Sequence, residues 1–115
     1  SRYFYNKQWT PKRHHKLAGV VETAIEVDFY WGDGAQPLAL QPVGRPRHLR
    51  SYMEQWGWRW TDLKNAHPDL IKVMVFDPDS QQWDNDSMRI GEEVCDIFVP
   101  VYEAEEALDG LLAVA

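Results

Sequence analysis

A nearly continuous apolar run over residues 70–76 (LIKVMVF) constrains the fold most. Lys72 is its one charged residue, and Pro68 and Pro78 lie two residues outside its ends. A short apolar run between turn-forming residues is typical of a β-strand that is covered on both faces. We therefore expect other elements to pack above and below this strand.

The length and composition fit one folded domain. The chain has 115 residues, of which 44% are hydrophobic and 13% are aromatic. A chain of this size normally forms one domain, and each buried aromatic ring removes roughly 150–250 Å² from water. No apolar run approaches the ~20 residues that a membrane-spanning helix needs, so no membrane partner is expected.

Cys95 is the single cysteine of the chain, which excludes an internal disulfide bond. It lies in an apolar run, where a thiol behaves as a small hydrophobic side chain. A reducing, cytoplasmic location is the expectation that follows. The chain begins without a secretory signal pattern. From the absence of an initiator methionine we expect a trimmed or processed chain, and whether an upstream segment is missing stays open.

Three further segments are predicted to form strands. Residues 17–31 alternate β-branched or aromatic residues with charged ones, so we predict a strand, although helical spacing fits the same residues. Residues 36–43 contain two prolines, which predicts a short edge strand. A last strand is predicted over residues 94–101, and residues 2–9 have the alternation of a short strand or an extended arm.

Helices are predicted on both sides of residues 70–76. Apolar residues at spacings of three and four predict a helix over residues 48–56, which Gly57 interrupts or ends. A turn or second short helix follows over residues 61–66 and stops before Pro68. A C-terminal helix is predicted over residues 103–112, and Thr10-Pro11 has the pattern of a helix start.

These elements predict a small α+β domain, with a mostly antiparallel sheet and one or two helices packed on one face. We expect residues 1–16 to form a basic and aromatic N-terminal arm or edge strand. Residues 17–115 are expected to form the single domain.

Charge divides the chain into two unlike halves. Residues 1–60 hold nine Lys/Arg and five Asp/Glu, a net charge of +4, whereas residues 61–115 hold three and thirteen, a net charge of −10. Such asymmetry bears on partners and association, not on the fold. The acidic residues between 92 and 109 therefore form either a surface that docks on a basic partner or a solvated face.

The N-terminal segment has the composition of a contact to single-stranded nucleic acid. Basic residues suit phosphates, and aromatic residues suit stacking on bases. The segment carries Arg2, Lys7, Lys12, Arg13 and Lys16 together with Tyr3, Phe4, Tyr5 and Trp9. The alternative is an arm whose aromatic residues pack on its own domain.

The string Trp56-Gly57-Trp58-Arg59-Trp60 is the most unusual short feature. Its three indoles share one face of an extended segment but diverge on a helix. Trp and Arg are the residues that most often dominate the binding energy of protein interfaces. We predict that this string forms part of a partner-binding surface; the alternative is that two of the indoles fill the core.

The residues that could carry chemistry form no catalytic or metal-binding motif. The acidic stretch 77–86 lacks the glycine that a calcium loop needs at its sharp turn, so a solvated hairpin connection is favoured. The four histidines have no zinc-binding spacing with Cys95. Because Cys95 is predicted to lie within a strand, it is poorly placed to act as a nucleophile. No cofactor and no metal is predicted.

Several segments resemble the GyrI-like effector-binding family. Residues 75–78 (VFDP), 88–89 (MR) and 93–101 (EVCDIFVPV) look like the end of one of its half-repeats, and residues 43–46 (VGRP), leading into Tyr52 and Trp56, look like its glycine-proline helix entry. The resemblance covers about half the chain and one of the two halves usual in the family. It implies a small-ligand-binding domain, with no pocket acid assigned.

The sequence favours a non-enzymatic module that binds a macromolecule, in the first place a protein or a second copy of itself. The predicted partner-binding residues are Tyr3, Tyr5, Trp9, Arg13, Trp56, Trp58, Arg59 and Trp60. The alternatives are a small-ligand-binding domain of GyrI-like type and nucleic-acid binding through the N-terminal arm.

Overall fold

Five strands and three α-helices build the part of the chain that the structure, a computed structural model, describes: residues 10–34 and 36–112. The strands are β1 (Lys12–Leu17), β2 (Ile25–Trp31), β3 (Leu38–Val43), β4 (Ile71–Phe76) and β5 (Ile97–Pro100). The helices are α1 (Leu49–Ala66), α2 (Asn85–Val94) and α3 (Ala104–Leu112), and a 3-10 turn (Val101–Glu103) leads into α3. None of these helices has the length and apolar character needed to cross a membrane.

The strands form one mixed sheet in the order β1-β2-β3-β4-β5. β1 pairs with β2 and β2 with β3 in antiparallel fashion, whereas β3–β4 and β4–β5 are parallel. Helices connect the parallel strands, as such crossovers require. The predicted α+β class is confirmed, and the strand at residues 70–76 is confirmed as β4.

Each face of the sheet carries its own apolar cluster. α1 and α2 cover one face, where the buried residues include Ile25, Val27, Met53, Trp56, Trp60, Leu63 and Met74. α3 covers the other face, where the buried residues are Phe29, Leu38, Leu40, Val73 and Leu108. Helices therefore lie on both faces, and β4 is covered above and below as its apolar sequence predicted.

β3 is a central strand, so the prediction of an edge strand over residues 36–43 is wrong. Its ladder with β2 ends at the pair Phe29–Leu40, before Pro42 would have to donate a hydrogen bond. The Gln41 side chain accepts the backbone N–H of Asp28 at 2.9 Å, which replaces the next ladder bond. A proline is tolerated here because the pairing on that side has already stopped.

α1 is continuous through Gly57, so the predicted break there is wrong. A Cβ atom at Gly57 would lie 3.2 Å from Cγ2 of Ile90, which shows that α2 packs closely at this position. Gly57 therefore allows the approach of two helices rather than ending one. The predicted stop before Pro68 is confirmed, since α1 ends at Ala66.

Residues 84–94 form a helix where a hairpin connection and the start of a strand were predicted. The Asp84 side chain accepts the backbone N–H of Ser87 at 2.7 Å and so caps the first turn of α2. Carboxylates are favoured N-caps because they accept N–H groups that lack a helical partner. Cys95 follows the helix as its C-cap with an extended backbone, and β5 begins only at Ile97.

β1 and β2 form a hairpin that bends over onto α1. His14 has a φ of +50°. On β2, opposite this part of β1, Phe29 packs in the apolar cluster beneath α3, whereas Val27 packs in the cluster beneath α1 and α2. Of the strand predicted over residues 17–31, the part over 25–31 is confirmed, and residues 18–24 form the hairpin loop. Thr10 and Pro11 start no helix. Of the arm or edge strand predicted over residues 1–16, residues 1–9 lie outside the described residues, and β1 begins at Lys12.

Candidate functional site

Trp56 and Trp60 are buried, so their assignment to a partner-binding surface is wrong. Their side chains are 3% and 0% exposed, and their ring centroids lie 5.2 Å apart. Residues four positions apart share one helix face, and this face of α1 packs against the sheet. The two indoles therefore fill the core, as the alternative interpretation held.

Trp58 points away from that core and is 52% exposed. Its position between Trp56 and Trp60 turns it by about 200° around the helix relative to either neighbour. Of the three indoles in the string, Trp58 alone remains available for contact with another molecule.

Arg59 and Arg13 do not join Trp58 in one surface. The Arg59 guanidinium lies 5.1 Å from the Trp56 ring centroid and its Nε is 4.0 Å from Oε2 of Glu22, so it packs beneath the β1–β2 loop. Arg13 lies on the edge strand β1 with its guanidinium 5.5 Å from the Phe29 ring. Tyr3, Tyr5 and Trp9 lie outside the described residues.

A groove of about 610 Å³ surrounds Trp58 on the outer side of α1. Val21 of the β1–β2 loop forms one wall, and Ile90 and Val94 of α2 form the other. The remaining lining residues all come from α1: Glu54, Gly57, Trp58, Thr61, Asp62 and Asn65. We call this the Trp58 groove. Because Gly57 lacks a side chain, α2 approaches closely enough to form its second wall.

The β1–β2 loop presents two apolar side chains beside this groove. Val20 and Val21 are each 66% exposed. Apolar side chains grouped with an exposed tryptophan often mark an interaction site on a soluble domain.

Asp62 of α1 holds this loop in place. Its carboxylate accepts the backbone N–H groups of Val20 at 2.8 Å, Val21 at 2.9 Å and Glu22 at 2.9 Å. The bond from Glu22 lowers the pKa of Asp62 most, and those from Val21 and Val20 add to the effect. Asp62 is 4% exposed, so the carboxylate serves the loop rather than a catalytic role.

One further hydrogen bond and one close approach hold the loop near the end of α1. His67 Nε2 donates to the carbonyl oxygen of Ala18 at 2.7 Å. A Cβ atom at Gly19 would clash with the Asp62 carboxylate, so the close approach requires glycine at this position. The backbone of the loop is thus bound at Ala18 and over residues 20–22, by Asp62 of α1 and by His67, which follows α1.

A second groove, also of about 610 Å³, lies on the opposite face between the sheet and α3. Its walls are mostly apolar, with Phe29, Leu40, Val75 and Leu108 among them. Val101 and Tyr102 stand at its mouth and are 55% and 75% exposed. The carboxylates of Asp28 and Glu105 line it as well.

Cys95 and Lys72, two side chains that could act as nucleophiles, are poorly placed for that chemistry. Burial raises the pKa of the Cys95 thiol to about 12, so the thiol stays protonated at neutral pH. Lys72 donates from Nζ to Asp96 at 3.0 Å and supports the start of β5. Within residues 10–34 and 36–112, no group of three His, Cys, Asp or Glu side chains is placed to hold a metal ion.

Comparison of the chain with protein-family models, with curated proteins and with solved structures finds no match. The resemblance to the GyrI-like family therefore gains no support from these comparisons.

Sequence reasoning found Trp58 but missed the residues that surround it. Val20 and Val21 belong to a segment predicted as strand, and Ile90 and Val94 belong to a helix that was not predicted. The four-residue spacing of Ile90 and Val94 was a usable signal for a helix, because residues four apart share a helix face. The role of Asp62 had no local signal, since its partners lie about forty residues away.

Proposed function

We propose that this chain is a protein-binding module whose contact surface is the Trp58 groove together with the exposed loop residue Val20. The observation that carries the proposal is the half-exposed Trp58 indole beside two valines that are 66% exposed. Tryptophan is enriched among the residues that dominate interface energy, because it combines a large apolar area with little conformational freedom.

The fixed loop supports this function. Binding costs free energy when loops and side chains must be ordered. Here Asp62 and His67 already hold the loop that carries Val20 and Val21, so a partner meets an ordered apolar edge.

Affinity capture from the native host tests the proposed function. The wild-type chain should enrich a protein that Trp58→Ala fails to enrich. Glu106→Gln is the matched control, because Glu106 is exposed on α3 across the sheet from the groove. Equal capture by wild type and Trp58→Ala would contradict the proposal.

The same variants must be shown to fold. Trp58→Ala should leave the melting temperature nearly unchanged, since more than half of the side chain is in solvent. Trp60→Ala should lower stability by about 3–5 kcal/mol, because Trp60 is 0% exposed in the core. A large loss of stability in Trp58→Ala would show that its side chain is structural.

The groove between the sheet and α3 favours a second candidate function, the binding of a small apolar ligand that carries a cationic group. Its volume of about 610 Å³ falls in the range of ligand sites, roughly 300–1,000 Å³. A thermal-shift screen of aromatic and cationic compounds tests it. A genuine ligand should stabilise the wild type and Trp58→Ala alike, but not Val75→Trp, in which the new side chain fills the groove.

A further inference from the structure

The charge of the Trp58 groove is one-sided. Among the described residues that line it, the ionisable side chains are Glu54 and Asp62, both acidic. The wall helix α2 adds Asp86, Glu92 and Glu93 against Arg89. The bases of α1 do not line the groove: Arg50 pairs with Asp86, Arg59 packs on Trp56, and Lys64 lies in the last turn. Complementary charge steers association, so the acidic lining favours a basic molecule.

Arg50 of α1 is a base beside the groove and is already engaged. Arg50 lies 3.1 Å from Asp86 and 3.7 Å from Glu54. The Glu54 contact is the longer of the two, and the Glu54 side chain is 62% exposed. Its carboxylate is therefore accessible to a second cation.

Glu54 and Trp58 are placed to act on the same cation. They lie four positions apart on the outer face of α1, and side chains at this spacing are neighbours on a helix. A Lys or Arg side chain lying over an indole within about 6 Å of its centroid is attracted by the ring. The neighbouring carboxylate of Glu54 would stabilise the same charge.

The walls of the groove require apolar groups as well. Val21 on one side and Ile90 and Val94 on the other offer no hydrogen bonds from their side chains. A partner that satisfies both the walls and the carboxylates carries apolar residues beside basic ones, which is the composition of a basic amphipathic segment.

We infer, on the basis of the proposed function, that the Trp58 groove receives a basic amphipathic segment of a partner protein. The apolar side chains of that segment pack between Val21 and Ile90. One of its Lys or Arg side chains lies over the Trp58 indole and beside the Glu54 carboxylate.

The test uses NMR titrations of the complete, nitrogen-15-labelled chain at 150 mM salt. Two designed 16-residue amphipathic peptides serve as probes, one of Leu and Lys and the other of Leu and Glu. The indole N–H signal of Trp58 is identified as the one that disappears in Trp58→Ala. The Leu/Lys peptide should shift this signal, and the Leu/Glu peptide should leave it in place.

Three variants distinguish binding of the peptide at the Trp58 groove from general electrostatic attraction of a basic peptide to an acidic protein. Trp58→Ala should weaken binding of the Leu/Lys peptide at least about tenfold. Glu54→Gln should weaken it about threefold, as expected for a partly exposed charge pair. Glu106→Gln changes the net charge equally but lies across the sheet, and should have no measurable effect.

Three results would overturn the inference: equal weakening by Glu54→Gln and Glu106→Gln, peptide binding that Trp58→Ala does not affect, or no shift of the Trp58 signal with the Leu/Lys peptide. A Trp58 shift with the Leu/Glu peptide alone would leave protein binding at this groove intact and refute only its preference for a basic partner. Capture from the host, compared between wild type and Trp58→Ala, decides the proposed function separately.

Discussion

At the scale of single residues, the backbone of His14 explains how the β1–β2 hairpin reaches α1. A φ of +50° lies in the left-handed region, which costs a residue with a side chain about 1–2 kcal/mol. Histidine is among the residues that tolerate this region better than most. His14 lies in the strand that leads into the hairpin loop, and the backbone of that loop is bound by Asp62 beside the groove.

Glycine at position 14 should therefore relieve strain. We expect His14→Gly to leave stability unchanged or raise it by about 1 kcal/mol. Lys16→Gly is the matched control, because Lys16 is exposed on the same strand without a positive φ, and should lower stability by about 0.5–1 kcal/mol. Urea unfolding of both variants provides the comparison. Equal destabilisation by the two glycines would show that the bend at His14 stores no strain.

The carboxylate of Asp62 should make stability depend on pH. Its pKa is lowered in the folded chain by the N–H bonds from Glu22, Val21 and Val20, so its stabilising effect is present above the unfolded pKa of about 3.9. That effect is lost as the pH falls through the lowered pKa. Asp62→Asn should melt well below the wild type at pH 7, and the two melting temperatures should converge below pH 4.

Glu92→Gln serves as the control for that pH series, because Glu92 is an exposed carboxylate on α2. Its melting curve should follow the wild type at each pH. A constant difference between Asp62→Asn and the wild type from pH 7 to pH 3 would contradict the role assigned to the carboxylate.

At the scale of elements, the helical glycines Gly91 and Gly110 differ in the space around them. A Cβ atom at Gly91 of α2 would clash with the Phe98 ring of β5, whereas one at Gly110 of α3 would meet nothing within 4 Å. Gly91 thus allows α2 to lie against β5, which also positions Ile90 and Val94 on the wall of the groove. Gly110 is a weak point in an exposed helical turn.

Alanine at these positions should change stability in opposite directions. Gly91→Ala should lower it by about 1–3 kcal/mol because the Phe98 ring must move. Gly110→Ala should raise it by about 0.5–1 kcal/mol, since alanine is the better helix former. Thermal unfolding of the two variants measures the difference. Stabilisation by both would mean that the contact between α2 and β5 is looser than the structure shows.

The sequence predicted those elements whose signal is local. The apolar run of β4, the C-terminal helix and the stop before Pro68 all depend on neighbouring residues, and all are confirmed. The central position of β3 depends on which strands pair with it, and α2 carries few apolar residues beyond Met88, Ile90 and Val94. The pairing of β3 is decided by contacts between distant segments and is absent from the local pattern. The signal of α2 was local but weak: the Asp84 cap and the four-residue spacing of Ile90 and Val94.

The residues of the candidate site also divide into those with a local sequence signal and those placed by distant contacts. Helical phase separates Trp58 from Trp56 and Trp60 once α1 is known to be continuous. Val20 and Val21 join the site only because Asp62, about forty residues later, binds their backbone. A surface assembled from a loop and two helices cannot be read from a short string of residues, even one as unusual as residues 56–60.

At the scale of the whole molecule, the structure separates a core-filling pair of indoles from a single exposed one. The sheet, α1 and α2 bury Trp56 and Trp60, and the same helices present Trp58 on a groove with acidic lining. The acidic side chains that line this groove, Glu54 and Asp62, act over about 8–10 Å at physiological salt. In the proposed function, stability and contact with a partner therefore depend on different tryptophans of one helix.

Site-specific photo-crosslinking in host cells tests the proposed contact of Trp58 with a partner protein most directly. A photoreactive phenylalanine analogue is placed at position 58 in one variant and at position 106 in the other, and both variants are irradiated in the living host. We expect a discrete crosslinked protein from position 58 that is absent from position 106. Crosslinks of identical pattern from both positions, or none from position 58, would contradict the account.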